Sequence, residues 1–308
     1  MTDAVRALAG DLNAYAAEGG CLTVLVDEPM SRHTSFHIGG PAGLYLVPGC
    51  RDALIRVLTT ARERGVRTYI LGNGSNVLFD DAGYDGAVVS LTGMDHIAVG
   101  EDGLVTAEAG ASLSSVCKSA RDAGLTGLEF AFGIPGSVGG AVVMNAGAYG
   151  GETAQVLEAS EYLDPRTMET GRLTLEEHSY GYRDSVYRHT DRIVLSASFR
   201  LKPGNREDIA AAMGDYASRR VSMQPLEYPS AGSVFKRPAG HFVGQMVEES
   251  GLKGYRIGGA EVSEKHAGFI VNRGGATCRD VLALVEHIRE TVRKNYGVEL
   301  ECEIIHVS

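Results

Sequence analysis

Hydrophobic residues recur at helical spacing in six segments of the chain. The clearest stripe is formed by Val281, Leu284, Val285, Ile288 and Val292. The predicted helices span residues 3–18, 51–64, 112–123, 205–222, 242–250 and 277–296. Glycines at the ends of several of these segments and a Thr277–Asp280 capping pair support their limits.

Apolar and polar residues alternate in other segments, as expected for strands with one buried face. The predicted strands are Leu22–Val26, Thr68–Leu71, a group within residues 86–107, Val156–Asp164, Ile193–Leu201, Gly268–Asn272 and Val298–Val307. Because helices and strands are mixed along the chain, the sequence predicts an α+β protein.

The turn Lys202-Pro203-Gly204 is the strongest boundary signal. We therefore expect three parts, at residues 1–70, 71–203 and 204–297. The last strand, 298–308, is expected to return to the first part.

Glycine is the unusual component, with 40 of 308 residues, about twice its average share. Many lie in the apolar stretch Gly127–Gly151, and Gly72-Asn73-Gly74-Ser75-Asn76 follows a predicted strand. Turns of this kind expose backbone N–H groups that bind anions. Two such loops could hold one extended diphosphate through main-chain amides rather than cations. The alternative is a purely structural glycine-rich corner.

The charge balance, 29 basic against 39 acidic residues, excludes nucleic acid and anionic membranes as main partners. The five scattered cysteines lack metal-binding spacing, which predicts free thiols in a reducing cytoplasm and no metal site. We expect no leader peptide. No run reaches the roughly 18 apolar residues of a membrane span.

Three residues stand out as candidates for chemistry. Arg183, among tyrosines, could bind a carboxylate, or form a surface ion pair with Asp184 or Asp191. Ser233, after a glycine, could offer its hydroxyl to a ligand, or bond its own backbone in a turn. Glu303 lies on the polar face of the last predicted strand, which favours a solvated position.

Seven motifs occur in one order along residues 30–305: TSFHIGGPA, LGNGSNVL, GIPGSVGGAVVMNAGAYGGE, GYRDSVY, PLEYPSAGSVFKRP, GYRIGGAEVSEKHAGFIVN and VELECEI. Together they resemble the UDP-N-acetylenolpyruvoylglucosamine reductases, in their shorter, type II form. The resemblance implies an FAD-binding architecture of the vanillyl-alcohol-oxidase type, followed by a C-terminal α+β substrate domain. It also implies a cytoplasmic, monomeric enzyme of peptidoglycan precursor synthesis that uses non-covalent FAD and NADPH.

The same resemblance implies the site residues. The catalytic residues would be Arg183, the proton donor Ser233, and Glu303. The expected FAD contacts are Leu71, Gly72, Asn73, Gly74, Ser75, Asn76, Val77, Leu78, Gly133, Ile134, Pro135, Gly136, Ser137, Gly139, Gly140, Ala141 and Asn145. The expected contacts of the UDP-sugar substrate are Tyr149, Lys236, Lys265 and His266.

In the implied reaction, NADPH reduces FAD, hydride passes from flavin N5 to C3 of the enolpyruvyl group, and Ser233 protonates C2. His37, Val143 and Cys302 depart from the pattern of this family, which bears on the cofactor contacts. Two alternatives stay open: a flavoenzyme of the same fold that acts on another alcohol or sugar, and a non-catalytic nucleotide-binding protein.

Overall fold

The computed structural model describes residues 1–308 and contains both helices and strands throughout. The predicted α+β class is therefore confirmed. The α-helices are α1 (Asp3–Ala17), α2 (Arg51–Glu63), α3 (Leu113–Asp122), α4 (Val138–Met144), α5 (Arg206–Met223), α6 (Val243–Glu249) and α7 (Cys278–Tyr296). Short 3-10 helices span Met30–Arg32, Leu91–Gly93, Glu129–Ala131, Thr153–Gln155, Glu176–His178 and Val186–His189.

Eighteen strands complete the secondary structure, and most are short. They are β1 (Leu22–Pro29), β2 (Pro41–Pro48), β3 (Thr68–Leu71), β4 (Val77–Phe79), β5 (Tyr84–Ser90), β6 (Ile97–Val99), β7 (Leu104–Glu108), β8 (Leu125–Thr126), β9 (Gly147–Ala148), β10 (Gly151–Glu152), β11 (Leu157–Leu163), β12 (Thr170–Thr174), β13 (Ile193–Arg200), β14 (Lys202–Pro203), β15 (Arg256–Ile257), β16 (Ala260–Val262), β17 (Ile270–Asn272) and β18 (Ile305–Val307).

The chain divides into two compact units, each assembled from several segments. The first unit comprises Met1–Val26, Leu44–Asn73 and Asp85–Arg220. The second unit comprises Asp27–Gly43, Gly74–Tyr84 and Val221–Ser308.

Two larger sheets organise the first unit. One has the strand order β1-β2-β5-β3, with β3 parallel to β5. The other has the order β12-β11-β13-β7-β6, and its neighbouring strands are antiparallel. The buried faces of α1, α2 and α3 contribute to the hydrophobic core of this unit. The apolar faces of these helices and the apolar side chains of the sheets share one core, as in other domains built from layers of helices and sheets.

The second unit is built around α7. Its three-stranded antiparallel sheet has the order β15-β16-β17, and β18 pairs with β4 in parallel. The predicted apolar stripe of α7 lies in the core of this unit, together with Phe36 and Leu78. The capping box of Thr277 and Asp280 begins α7, and Gly297 ends it with a φ of 68°. All six predicted helices are present with nearly the predicted limits.

Two predictions of local structure are corrected. The glycine-rich stretch contains a helix, α4, because Ser137 accepts a hydrogen bond from the Gly140 amide and starts a turn that glycines weaken but do not prevent. The last predicted strand is shorter than expected, since regular pairing is confined to β18. Residues 298–304, which precede β18, alternate like a strand in sequence, but they form only one isolated bridge, between Phe235 and Cys302.

The predicted boundaries at residues 70 and 204 do not coincide with the two units. Helix α5 belongs to the first unit as far as Arg220, because Ile209 and Met213 are buried in the core of that unit. Residues 298–308 belong to the second unit, where β18 pairs with β4.

The prediction of five free thiols is also wrong. Cys21 and Cys50 form a disulfide, with their Cα atoms 6.4 Å apart. The Gly49 amide donates to the Cys21 carbonyl at 2.7 Å and brings the two segments together. The two cysteines are 29 residues apart in sequence, and a separation of this length gives no indication that they pair. Cys117, Cys278 and Cys302 are free thiols.

None of the helices combines the length and apolar character that crossing a membrane requires.

Helix α7 offers a matched test of the second core. Leu284 is fully buried, whereas Leu282 on the same helix is 36% exposed. We expect Leu284→Ala to lower the free energy of unfolding by about 2–5 kcal/mol, because it removes packed methyl groups and leaves a cavity. Leu282→Ala should change it by no more than about 0.5 kcal/mol. Urea denaturation followed by circular dichroism measures both, and equal effects would contradict the assigned faces of α7.

Candidate functional site

Two glycine loops of the first unit lie side by side. A Cβ atom added at Gly72 would collide with the hydroxyl of Ser137, and the Asn73 amide side chain donates to the Pro135 carbonyl at 3.5 Å. Neither loop carries a charged residue between Leu71 and Asn73 or between Gly133 and Asn145. The arrangement brings uncharged backbone close together, which suits contact with an extended polar ligand.

A buried cation borders the second of these loops. The Nη1 atom of Arg220, near the end of α5, is buried and has no hydrogen-bond partner. Its Cδ atom lies 3.6 Å from the position that a Cβ would take at Gly133. Burial lowers the pKa of Arg220, while nearby Tyr149 acts in the opposite direction. An orphaned guanidinium nitrogen in this position fits an anionic group of a ligand.

Sequence reasoning missed Arg220. It lies in an ordinary helical context, Ser218-Arg219-Arg220, without a glycine motif or a distinctive spacing. The one signal in the sequence was the i,i+4 spacing of Asp215 and Arg219, which indicates a pair and leaves Arg220 on a different face of α5. In the structure, the two side chains do pair, at 2.8 Å.

Arg183 lies in a turn that is fastened to the segment following α4. The Asn145 side chain donates to the Gly181 carbonyl at 3.1 Å, and the Ser185 hydroxyl donates to the Val143 carbonyl at 2.7 Å. Arg183 itself has a φ of 55° and donates through Nη2 to the Gly147 carbonyl at 3.2 Å. A positive φ in a non-glycine residue is costly, and such residues cluster at functional sites.

The other side of the Asn145 amide is also occupied. Its Oδ1 atom accepts from the Ala154 amide at 3.0 Å, and the residue is 1% exposed. The side chain of Asn145 therefore joins residue 154 to the turn that carries Arg183, and so positions that turn. Asp184, the alternative partner considered for Arg183, accepts from His189 at 3.0 Å, and this hydrogen bond lowers the pKa of its carboxyl group.

In the second unit, Ser233 and Glu303 lie on adjacent segments. The Glu303 amide donates to the Val234 carbonyl at 2.8 Å, and Phe235 bridges Cys302 in the same antiparallel register. On its other side, Ser233 forms a bridge with Phe269. Both candidates are partly buried, which corrects the expectation that Glu303 shares a solvated face with Glu299 and Glu301.

The hydroxyl of Ser233 is not bonded to another protein group, in contrast to the side chains of several serines in turns. The alternative of a turn serine that bonds its own backbone therefore does not describe it. A partly buried hydroxyl without a protein partner is available to a ligand.

Residues 74–78 form the start of the second unit's β4 region. Gly74 has a φ of 63°, and a side chain there would collide with the His33 carbonyl. The Asn76 amide side chain donates to the Glu303 carbonyl at 3.1 Å. Leu78 is fully buried, so its side chain serves the core and leaves only its backbone for a ligand.

The predicted substrate residues have different surroundings. The Lys236 ammonium group pairs with the Glu301 carboxylate at 2.5 Å and is mostly buried. The Lys265 ammonium group donates to the Val221 carbonyl at 2.7 Å. Tyr149, in the first unit, stacks on Tyr216 of α5 with ring centroids 4.7 Å apart.

His266 is tied to its own loop. Its Nδ1 atom accepts from the Gly268 amide at 3.1 Å, and its ring meets Phe269 edge to face. Burial lowers the pKa of His266, which favours the neutral ring. Because Nδ1 accepts, the neutral ring carries its proton on Nε2, and this N–H group remains a donor for a ligand.

Lys265 borders a cavity of about 420 Å³ in the second unit. The lining residues are Glu227, Tyr228, Glu261, Ser263, Glu264, Lys265, Val271 and Arg273. Three carboxylates against two cations make this cavity a poor environment for a diphosphate.

Comparison with known families assigns both parts of the chain. Residues 42–167 match the FAD binding domain family, and residues 224–307 match the C-terminal domain of UDP-N-acetylenolpyruvoylglucosamine reductase. The two glycine loops and Arg220 fit a flavin dinucleotide: Gly72 lets the loops approach closely at Ser137, neither loop carries a carboxylate, and Nη1 of Arg220 offers an unused donor. The chain thus combines an FAD-binding part with a C-terminal α+β domain, as predicted.

Whole-chain relatives agree with these matches. The chain is 50% identical over 279 residues to the UDP-N-acetylenolpyruvoylglucosamine reductase of Caldanaerobacter subterraneus subsp. tengcongensis, covering 91% of this chain and 92% of the relative. It is 46% identical over 281 residues to the enzyme of the same name from Clostridium perfringens, with the same coverage.

A solved structure shares the fold. The UDP-N-acetylenolpyruvylglucosamine reductase of Thermus caldophilus superimposes with a TM-score of 0.77 at 35% identity, covering 93% of this chain and 99% of that one. The predicted resemblance is confirmed, and the chain belongs to the UDP-N-acetylenolpyruvoylglucosamine reductase family of oxidoreductases.

Proposed function

We propose that this protein reduces the enolpyruvyl group of UDP-N-acetylenolpyruvoylglucosamine to give UDP-N-acetylmuramate, with NADPH as the source of electrons. The observation that carries the proposal is the pair of adjoining uncharged glycine loops in a chain that matches the family over nine-tenths of its length. The name of the relatives supplies the substrate class.

The reaction adds one hydride and one proton across a carbon–carbon double bond. When bound, FAD supplies the hydride that is delivered to C3 of the enolpyruvyl group, after taking it from NADPH. The electron pair of the double bond then lies at C2, beside the substrate carboxylate. The protein must stabilise this negative charge and deliver a proton to C2.

Ser233 is the proposed proton donor to C2. Its hydroxyl is partly buried and has no competing protein partner, so the O–H bond can point at the substrate. A serine is a weak acid, but a carbanion-like carbon is basic enough to take its proton. The loop is held from both sides, by Gly268 and by Glu303, and a fixed donor needs little reorganisation.

Arg183 and Glu303 have electrostatic roles in this proposal. The guanidinium group of Arg183 would balance the charge that spreads from C2 into the carboxylate. The positive φ of Arg183 and the hydrogen bonds from Asn145 and Ser185 hold that turn in one conformation. Glu303 would share a proton with the substrate carboxylate and so keep two anions from opposing each other.

Arg220 is proposed to bind the pyrophosphate of FAD. Its unpartnered Nη1 and its place beside Gly133 support a charged hydrogen bond to a phosphate oxygen. The proposal adds a cation to a cofactor site that the sequence predicted to consist of amides alone. Lys265 and His266 remain predicted contacts of the substrate, because the single hydrogen bond from the Lys265 ammonium group to Val221 and the occupied Nδ1 of His266 leave further N–H donors for a ligand.

Ser233→Ala tests the proton donor. We expect NADPH to reduce the bound flavin at the normal rate, because that half of the reaction needs no proton at C2. Reoxidation of the reduced flavin by the enolpyruvyl substrate should slow by about 10²–10⁴-fold. Stopped-flow absorbance separates the two halves of the reaction.

Ser230→Ala is the matched control. Ser230 lies in the same loop, and its hydrogen bonds with Ser35 are made by its backbone, which the substitution keeps. It should retain both rates. An equal loss of both half-reactions in Ser233→Ala would contradict the assignment. Normal flavin reduction with no turnover of the enolpyruvyl substrate in the unaltered protein would instead point to another sugar or alcohol substrate.

Arg220→Ala tests the cofactor contact. Loss of one charged hydrogen bond, worth about 1.5–3 kcal/mol, should weaken FAD binding by about 10–100-fold. Titration of the apoprotein with FAD, followed by quenching of flavin fluorescence, measures the dissociation constant. Arg219→Ala, which removes the exposed neighbour that pairs with Asp215, should leave FAD affinity unchanged. Normal FAD affinity in Arg220→Ala with a raised KM for substrate would assign the residue to the substrate diphosphate instead.

A further inference from the structure

Three side chains with different metal-binding atoms meet in the second unit, outside the site described above. They are Asp80, directly after β4, Cys278, the first residue of α7, and His306 in β18. One ligand atom from each lies within 4.8 Å of the other two. The residues are far apart in sequence, which explains why cysteine spacing did not reveal the cluster.

The backbone around the cluster is firmly held. The Asp80 amide donates to the Val307 carbonyl at 2.9 Å, and the Asp80 carbonyl accepts from the amides of Gly40 and Gly83. The Cys278 amide donates to a carboxylate oxygen of Asp81 at 2.7 Å, which fastens the start of α7 to the same loop. Parallel pairing of β18 with β4 sets the position of His306 opposite Leu78.

The side chains are also oriented towards one another. The Ala82 amide donates to Oδ1 of Asp80 at 2.9 Å, which leaves Oδ2 facing His306. Oδ2 lies 3.6 Å from Nε2 of His306, longer than an ordinary hydrogen bond. Two ligands of one tetrahedral zinc ion, each at about 2.0–2.1 Å from the metal, are separated by roughly 3.4 Å. The observed separation is close to that value.

We propose that Asp80, Cys278 and His306 form a zinc site in which a water molecule takes the fourth position. A thiolate and an imidazole favour zinc over magnesium or calcium, which prefer sets of oxygen ligands. Asp81, which accepts from the Cys278 amide, adds a second carboxylate nearby.

The two sides of the site differ in exposure. Cys278 is only 1% exposed, whereas the side chains of Asp80 and His306 are 38% and 37% exposed. Zinc could therefore enter from solvent without unfolding of the unit. Bound zinc would join the last strand, β18, to β4 and to the start of α7, and would stabilise the folded state in proportion to its occupancy.

Binding has a defined proton balance. The Cys278 thiol gives up its proton when its sulfur bonds to Zn²⁺, and the imidazole of His306 binds in its neutral form. At neutral pH the site should release about one proton to the buffer for each zinc ion bound. No oxidation or reduction takes place.

The experiment titrates the metal-free, FAD-loaded protein with ZnCl₂ against a chromogenic zinc chelator. We expect one ion per chain at this site, accompanied by proton release that calorimetry detects in buffers of different ionisation enthalpy. His306→Asn and Cys278→Ser should each lower zinc affinity by more than about 100-fold, since loss of outer-shell partners alone costs up to that factor. His306→Asn changes a partly exposed residue, so it keeps the test informative if Cys278→Ser fails to fold.

The matched controls are His96→Asn, which alters an exposed histidine of the first unit, and Cys117→Ser, which alters a buried free thiol there. Both should retain zinc affinity. Absence of stoichiometric binding would overturn the proposal, as would unchanged affinity in His306→Asn or an equal loss in the controls. Reductase activity of the metal-free protein is a separate measurement, so the zinc site and the proposed reaction can fail independently.

Discussion

A side chain at position 72 would collide with Ser137, and this steric constraint underlies the proposed cofactor site. The two glycine loops of the first unit can approach each other only because one of them presents bare backbone there. Gly139 is also closely packed, against the residue that follows β7, since its added Cβ would lie 3.0 Å from Cβ of Ala109. Loops built from bare backbone expose amides, rather than side chains, to the polar groups of an extended ligand.

A positive charge beside these uncharged loops comes from helix α5, in the form of Arg220. Helix α5 is amphipathic enough to bury Ile209 and Met213, and its later turn brings Arg220 beside Gly133. A buried guanidinium with an unused nitrogen is costly in a folded protein without a partner. We interpret that cost as the consequence of a site built for an anion.

The residues proposed to act on the substrate are held by short local contacts within their own units. The turn of Arg183 is fixed by Asn145 and Ser185, and the loop of Ser233 is fixed between Phe269 and the segment of Glu303. Side-chain hydrogen bonds to backbone carbonyls set the first position, and backbone pairing sets the second. The capped helix α7 and the pairing of β18 with β4 provide the support beneath the second of these.

By itself, the sequence determined the α+β class, the limits of six helices and the family, because apolar periodicity, capping residues and ordered motifs are local properties. The tertiary structure alone decided the contacts that join distant segments: the Cys21–Cys50 disulfide, the place of α5 in the first core, the orphaned nitrogen of Arg220, and the meeting of Asp80, Cys278 and His306. Side chains separated by tens to hundreds of residues are brought together by packing and strand register, and these leave no periodic trace in the chain.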